Sequence, residues 1–70
     1  MKFTIETEQE TDGNWLAEVM EISGCIAHGD TKEEAIRNTK ALALRVIAEQ
    51  LEEEPEKAEI TDFSFVLANG

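Results

Sequence analysis

The sequence is poor in cross-links and in positive charge. Its 70 residues hold one cysteine, one proline and one tryptophan, with six Lys and Arg against 16 Asp and Glu. A single thiol, Cys25, closes no internal disulfide, so the stapled secreted class is excluded. No basic stretch followed by an apolar core opens the chain, and no apolar run approaches the ~18 residues of a membrane span. A cytoplasmic location is therefore expected. The net charge of -10 argues against unaided binding to DNA or RNA, because phosphate contacts need clustered Lys and Arg. It argues equally against docking on an anionic membrane. A basic partner protein would be attracted and steered, although the same charge also serves solubility. The length allows one domain, residues 1–70, near the lower end of what folds without staples.

What is present reads as alternating strands around one helix. Lys2-Phe3-Thr4-Ile5-Glu6-Thr7-Glu8 places Phe3, Ile5 and Thr7 on one face and charges on the other, the pattern of a half-buried strand. Asp12-Gly13 then signals a hairpin turn into a second strand over residues 15–20. Trp15, Ala17 and Val19 share a face of that strand, and Trp15 is expected in or beside the core. Ser23-Gly24 breaks the pattern before a short third strand over residues 25–28. Thr31-Lys32-Glu33-Glu34 matches a capping box, with acids in the first turn to complement the helix dipole. A helix over Lys32–Glu53 follows, free of Gly and Pro, with Pro55 to stop it. Residues 55–59 form an acidic connector. Residues 60–68 alternate again, with Phe63, Phe65 and Leu67 together, and read as a fourth strand. The order β-β-β-α-β predicts an α+β domain: an antiparallel three-stranded sheet, one long helix packed on it, and a C-terminal strand.

On a helical wheel, Ala35, Ile36, Thr39, Leu42, Ala43, Val46, Ile47 and Leu51 fill one wide arc, which Leu44 and Ala48 extend. That arc is wider than one sheet face covers. Either the terminal strand or the connector covers Leu44, or a second chain does. Homo-oligomerisation, as a dimer or tetramer, is the expectation, with Leu44, Ala48, Leu51 and Phe65 at the interface. The late strand also offers an edge for pairing between chains.

Chemistry is sparse. Cys25 and His28 are too few for zinc and, three apart on a strand, point to opposite faces. Cys25 is expected in the core, without a base on its own face to make it a nucleophile. The run Glu52-Glu53-Glu54, with Glu56 and Glu59 nearby, is expected to be a solvated face, without an apolar pocket to raise a carboxyl pKa. No catalytic residue, metal or cofactor is expected, and the chain is read as not an enzyme.

Asp12-Gly13-Asn14-Trp15-Leu16-Ala17-Glu18-Val19, then Gly24-Cys25, then His28-Gly29-Asp30-Thr31-Lys32-Glu33-Glu34-Ala35 resembles the HicB antitoxin family. The likeness covers most of residues 2–51 with the spacing held throughout. It implies a partial ribonuclease H-like sheet-and-helix domain without that enzyme's metal-binding carboxylates. It also implies a partner: a basic HicA-like toxin of double-stranded-RNA-binding-like fold that cleaves messenger RNA. Met20 and Ser23 stand where the family usually has prolines. Complete antitoxins continue into a DNA-binding domain and this chain ends at Gly70, so operator binding is not carried over.

The leading expectation is a HicB-like module that self-associates and binds a basic protein. The alternative is an orphan oligomeric module that binds a small ligand or another regulatory partner. Residual ribonuclease-like catalysis is a weaker third reading. Alternation selects Glu6, Glu8, Glu18 and Glu21, around the hairpin, as partner-binding acids.

Overall fold

The computed structural model describes residues 1–54, 56 and 62–68. Along the chain come β1 (Lys2–Gln9), β2 (Trp15–Val19), β3 (Ile26–Gly29), α1 (Lys32–Glu53) and β4 (Ser64–Leu67). This is the α+β order β-β-β-α-β. The strands lie in one sheet in the order β3-β2-β1-β4. The β1–β2 and β2–β3 pairs are antiparallel, whereas β4 runs parallel to β1, with Phe3 opposite Phe65 and Ile5 opposite Leu67. The expected three-stranded antiparallel sheet is thus extended into a mixed sheet of four. Because β3, β1 and β4 all run in one sense, α1 is the crossover that a parallel addition requires.

Boundaries move slightly for local reasons. Between β1 and β2, Gly13 donates to the Glu10 carbonyl at 2.9 Å. Gly13 takes a φ of +93°, the left-handed region that glycine enters without steric cost. The Asn14 amide meets the Asp12 carboxylate at 3.0 Å. The third strand starts at Ile26, not Cys25, because the Cys25 amide closes a turn onto the Ile22 carbonyl. Ile60 and Thr61, read as the start of the last strand, lie outside the described residues, as do Pro55 and residues 57–59.

The helix begins where its cap dictates. Thr31 is extended and its hydroxyl accepts from the Glu34 amide at 3.1 Å. The Glu34 carboxylate reaches back to the Asp30 amide, at 3.4 Å, one residue before the N-cap. Ala35, Thr39, Ala43 and Ile47 form the buried stripe of α1, four residues apart as a helix face demands. They meet Phe3, Ile5, Ala17, Val19 and Cys25 in a single core. Trp15 packs half-buried at its margin. Three of the four stripe residues are Ala or Thr, which lets α1 lie close to the sheet. That closeness fixes Gly29: a Cβ there would stand 2.5 Å from the Ala35 amide nitrogen. Thr39, buried within the helix, donates its hydroxyl to the Cys25 carbonyl at 3.3 Å, so its polarity is satisfied in place. The helix lies over β3 and β2 and reaches β1 less.

Candidate functional site

A strand sends alternate side chains to opposite faces. With Phe3, Ile5, Ala17 and Val19 turned under α1, the intervening residues of the same strands form an outer face that no described element covers. Lys2, Thr4, Glu6 and Glu8 line it from β1, Leu16 and Glu18 from β2, Ile26 and His28 from β3 and Ser64 and Val66 from β4.

The register decides how the acids meet. Glu6 lies directly opposite Glu18, and Glu8 opposite Leu16; Leu16 faces His28, and Glu18 faces Ile26. Two carboxylates directly across an antiparallel pair are close enough to repel, which disfavours the sheet. Around them stand apolar side chains, with Ile26 at 41% and Val66 at 37% exposure. The outer face therefore joins a focused negative charge to an uncovered apolar rim. His28, at one border, places Nε2 3.6 Å from Glu10 Oε1, an ion pair only when the imidazole is protonated.

Glu21 does not join the other three acids. After Val19 the chain turns away, and the Met20 amide still donates to the Thr4 carbonyl at 2.9 Å. The return bond is made by a side chain: the Thr4 amide donates to Glu21 Oε1 at 2.6 Å. This backbone hydrogen bond holds the Glu21 carboxyl below its ordinary value, since bonding to the charged form favours it. The alternation that sets Glu6, Glu8 and Glu18 on the outer face does not extend to Glu21. Continued along β2 it would put Glu21 on the inner face with Ala17 and Val19, but the strand ends at Val19.

The expected interface residues divide in the same way. Leu44, Ala48 and Leu51 are all exposed on one side of α1. Phe65 is elsewhere, half-buried at the sheet edge, with its ring 5.8 Å from Phe3 and 6.1 Å from Phe63. Lys40 Nζ lies 5.7 Å from the Phe65 ring centre.

Cys25 is buried beneath α1 with Sγ 3.6 Å from the Thr39 carbonyl, while His28 points outward, so the two do not converge. Among the described residues no group of three His, Cys, Asp or Glu side chains is placed to hold a metal ion. No described helix is long and apolar enough to cross a membrane. A pocket of about 530 Å³ opens between the sheet end and the later turns of α1, lined by Phe3, Glu21, Ile22, Val46, Ile47 and Gln50 among others.

The described residues thus form a small sheet-and-helix domain of α+β class with one charged sheet face left uncovered by them. Comparison with known proteins gives it a family. The chain is 37% identical over 57 residues to the UPF0150 protein Ta0767 of Thermoplasma acidophilum, a match covering 81% of each chain. The chain belongs to the UPF0150 family, a group of small HicB-like proteins. No family model matches it, and no solved structure does.

Proposed function

We propose that this chain is a non-enzymatic, cytoplasmic HicB-like module that self-associates and uses its outer sheet face to bind a basic partner protein, such as a HicA-like toxin that cleaves messenger RNA. The observation that carries this reading is the Glu6–Glu18 register, with Glu8 beside it. A like-charge pair at the centre of a sheet disfavours the isolated fold. A Lys or Arg from a partner, set between the two carboxylates, turns the same arrangement into an attraction. Leu16, Ile26 and Val66 supply the apolar contact around it, and the net charge of -10 steers a basic body towards it. UPF0150 membership and the HicB-like sequence pattern support the same reading.

A foothold for the small-ligand alternative is the pocket near Phe3 and Ile47. Its polar groups do not converge, because the Glu21 carboxylate is already engaged by Thr4.

The test is capture of a purified HicA-like toxin by the immobilised chain at ionic strengths of about 0.01 M and about 1 M. Capture is expected at low salt, with a sharp fall at high salt and in the Glu6→Gln/Glu18→Gln variant. That variant relieves repulsion and is expected to be as stable as the parent, or more stable by about 0.2–1 kcal/mol, so lost capture will not reflect unfolding. Absence of capture by the parent chain at low salt would sink the antitoxin reading.

A further inference from the structure

Besides its buried stripe, α1 carries a second apolar row. Ala41, Leu44, Ala48 and Leu51 are exposed, Leu44 to 44%. Their 3-4-3 spacing is that of a seam between paired helices. At ~100° per residue the row lies on the side of α1 away from Ala35, Thr39, Ala43 and Ile47, so the sheet does not cover it. Small and large residues alternate along it, which lets a Leu of one helix settle against an Ala of another. The row borders a groove of about 460 Å³ whose walls include Ile36, Arg37, Lys40, Ala41 and Leu44.

The charges along this row are separated by sign. Arg37 and Lys40 flank its start, and Glu52 flanks its end. Arg45, near the middle, lies further round the helix. Glu33 also walls the groove, but one turn before Arg37 it lies about 6 Å further from the middle of the row at 1.5 Å per residue. In a parallel pair, Arg37 would meet Arg37 and Glu52 would meet Glu52. An antiparallel pair about a twofold axis between Leu44 and Ala48 does the reverse. It brings Lys40 of each copy level with Glu52 of the other, each roughly 9 Å from the axis at 1.5 Å rise per residue, with Arg37 three residues further out and able to reach Glu52 through its longer side chain. Such a contact is self-complementary, as twofold pairing requires.

We propose that two copies of this chain pair antiparallel through the exposed face of α1, Leu44 of each against Ala48 of the other, with Arg37 facing Glu52 across the seam. This rests on the self-association proposed above and adds the face, the sense and the charge pairing. It leaves the outer sheet face of both copies free for a partner.

Sedimentation equilibrium on the full chain tests it, with circular dichroism to verify folding of each variant. The parent chain is expected to dimerise and Leu44→Glu to abolish the dimer. Arg37→Glu and Glu52→Arg should each weaken association on the order of tenfold, because each acts twice by symmetry. The double exchange Arg37→Glu/Glu52→Arg should recover the parent affinity. A parent chain that sediments as a monomer overturns this pairing and the self-association together. A dimer indifferent to Leu44→Glu, or a double exchange without recovery, overturns this pairing alone.

Discussion

Beneath α1, Phe3, Ile5, Ala17 and Val19 are almost wholly removed from water, while one residue along the same strands Glu6 and Glu18 face outward, beside Ile26 and His28 of β3. The inner face is governed by fit. Its helix partners are small, its glycine is fixed by a backbone approach, and its buried polar residue, Thr39, is hydrogen-bonded. No packing constraint of that kind acts on the outer face, yet it carries a pairing that folding alone disfavours, Glu6 against Glu18. Residues that do not help the isolated fold are where an interaction is best sought.

Substitutions inside the core sharpen the contrast most. Ile5 is 1% exposed, and Ile5→Ala should cost about 2–5 kcal/mol through lost burial and the cavity left behind. A domain of this size has little more than that to lose, so the variant should be largely unfolded or melt at much lower urea concentration. A loss below about 1 kcal/mol would mean that the inner face tolerates cavities, against its close packing.

Gly29→Ala follows. The new Cβ would meet the backbone of Glu34 and Ala35, at 2.9 and 2.5 Å, and backbone does not rotate aside as a side chain does. Either α1 lifts from β3 or the strand end shifts, for about 1–3 kcal/mol, read as a lower urea midpoint. An unchanged midpoint would show that the helix start is not seated on β3 as described.

Much of this arrangement was legible beforehand. Thr31, Glu34 and the unbroken run of helix formers set α1, and the alternation of β1 and β2 assigned Phe3, Ile5, Ala17 and Val19 to one face. Alternation names a residue's face but not its strand's neighbour or direction. The parallel seat of β4 beside β1 therefore waited for the structure. Gly29 reads in sequence as a turn residue, and only the descent of α1 onto β3 reveals why it has no side chain. Among the acids, the sequence places Glu6 and Glu18 on one face, but their meeting depends on the hairpin register. Glu21 is out of phase with Glu18, and because β2 ends two residues earlier its carboxylate turns to the Thr4 amide instead.

That diversion gives the smallest and most specific effect. The Glu21 carboxyl titrates below its ordinary value because the Thr4 amide donates to it. A carboxylate depressed in the folded state contributes stability above its unfolded pKa and loses it as pH falls through the folded pKa. Acidification should therefore remove a small share of the parent chain's stability, discounted because the group is exposed. Glu21→Gln keeps an oxygen to accept from Thr4 but no proton equilibrium, so its urea midpoint should fall less between neutral and acid pH. Parallel pH profiles for the two proteins would mean that the carboxylate is not held on Thr4 in solution. Glu21 would then rejoin Glu6, Glu8 and Glu18 among the acids free for a partner, and Glu21→Gln would weaken capture of a basic protein.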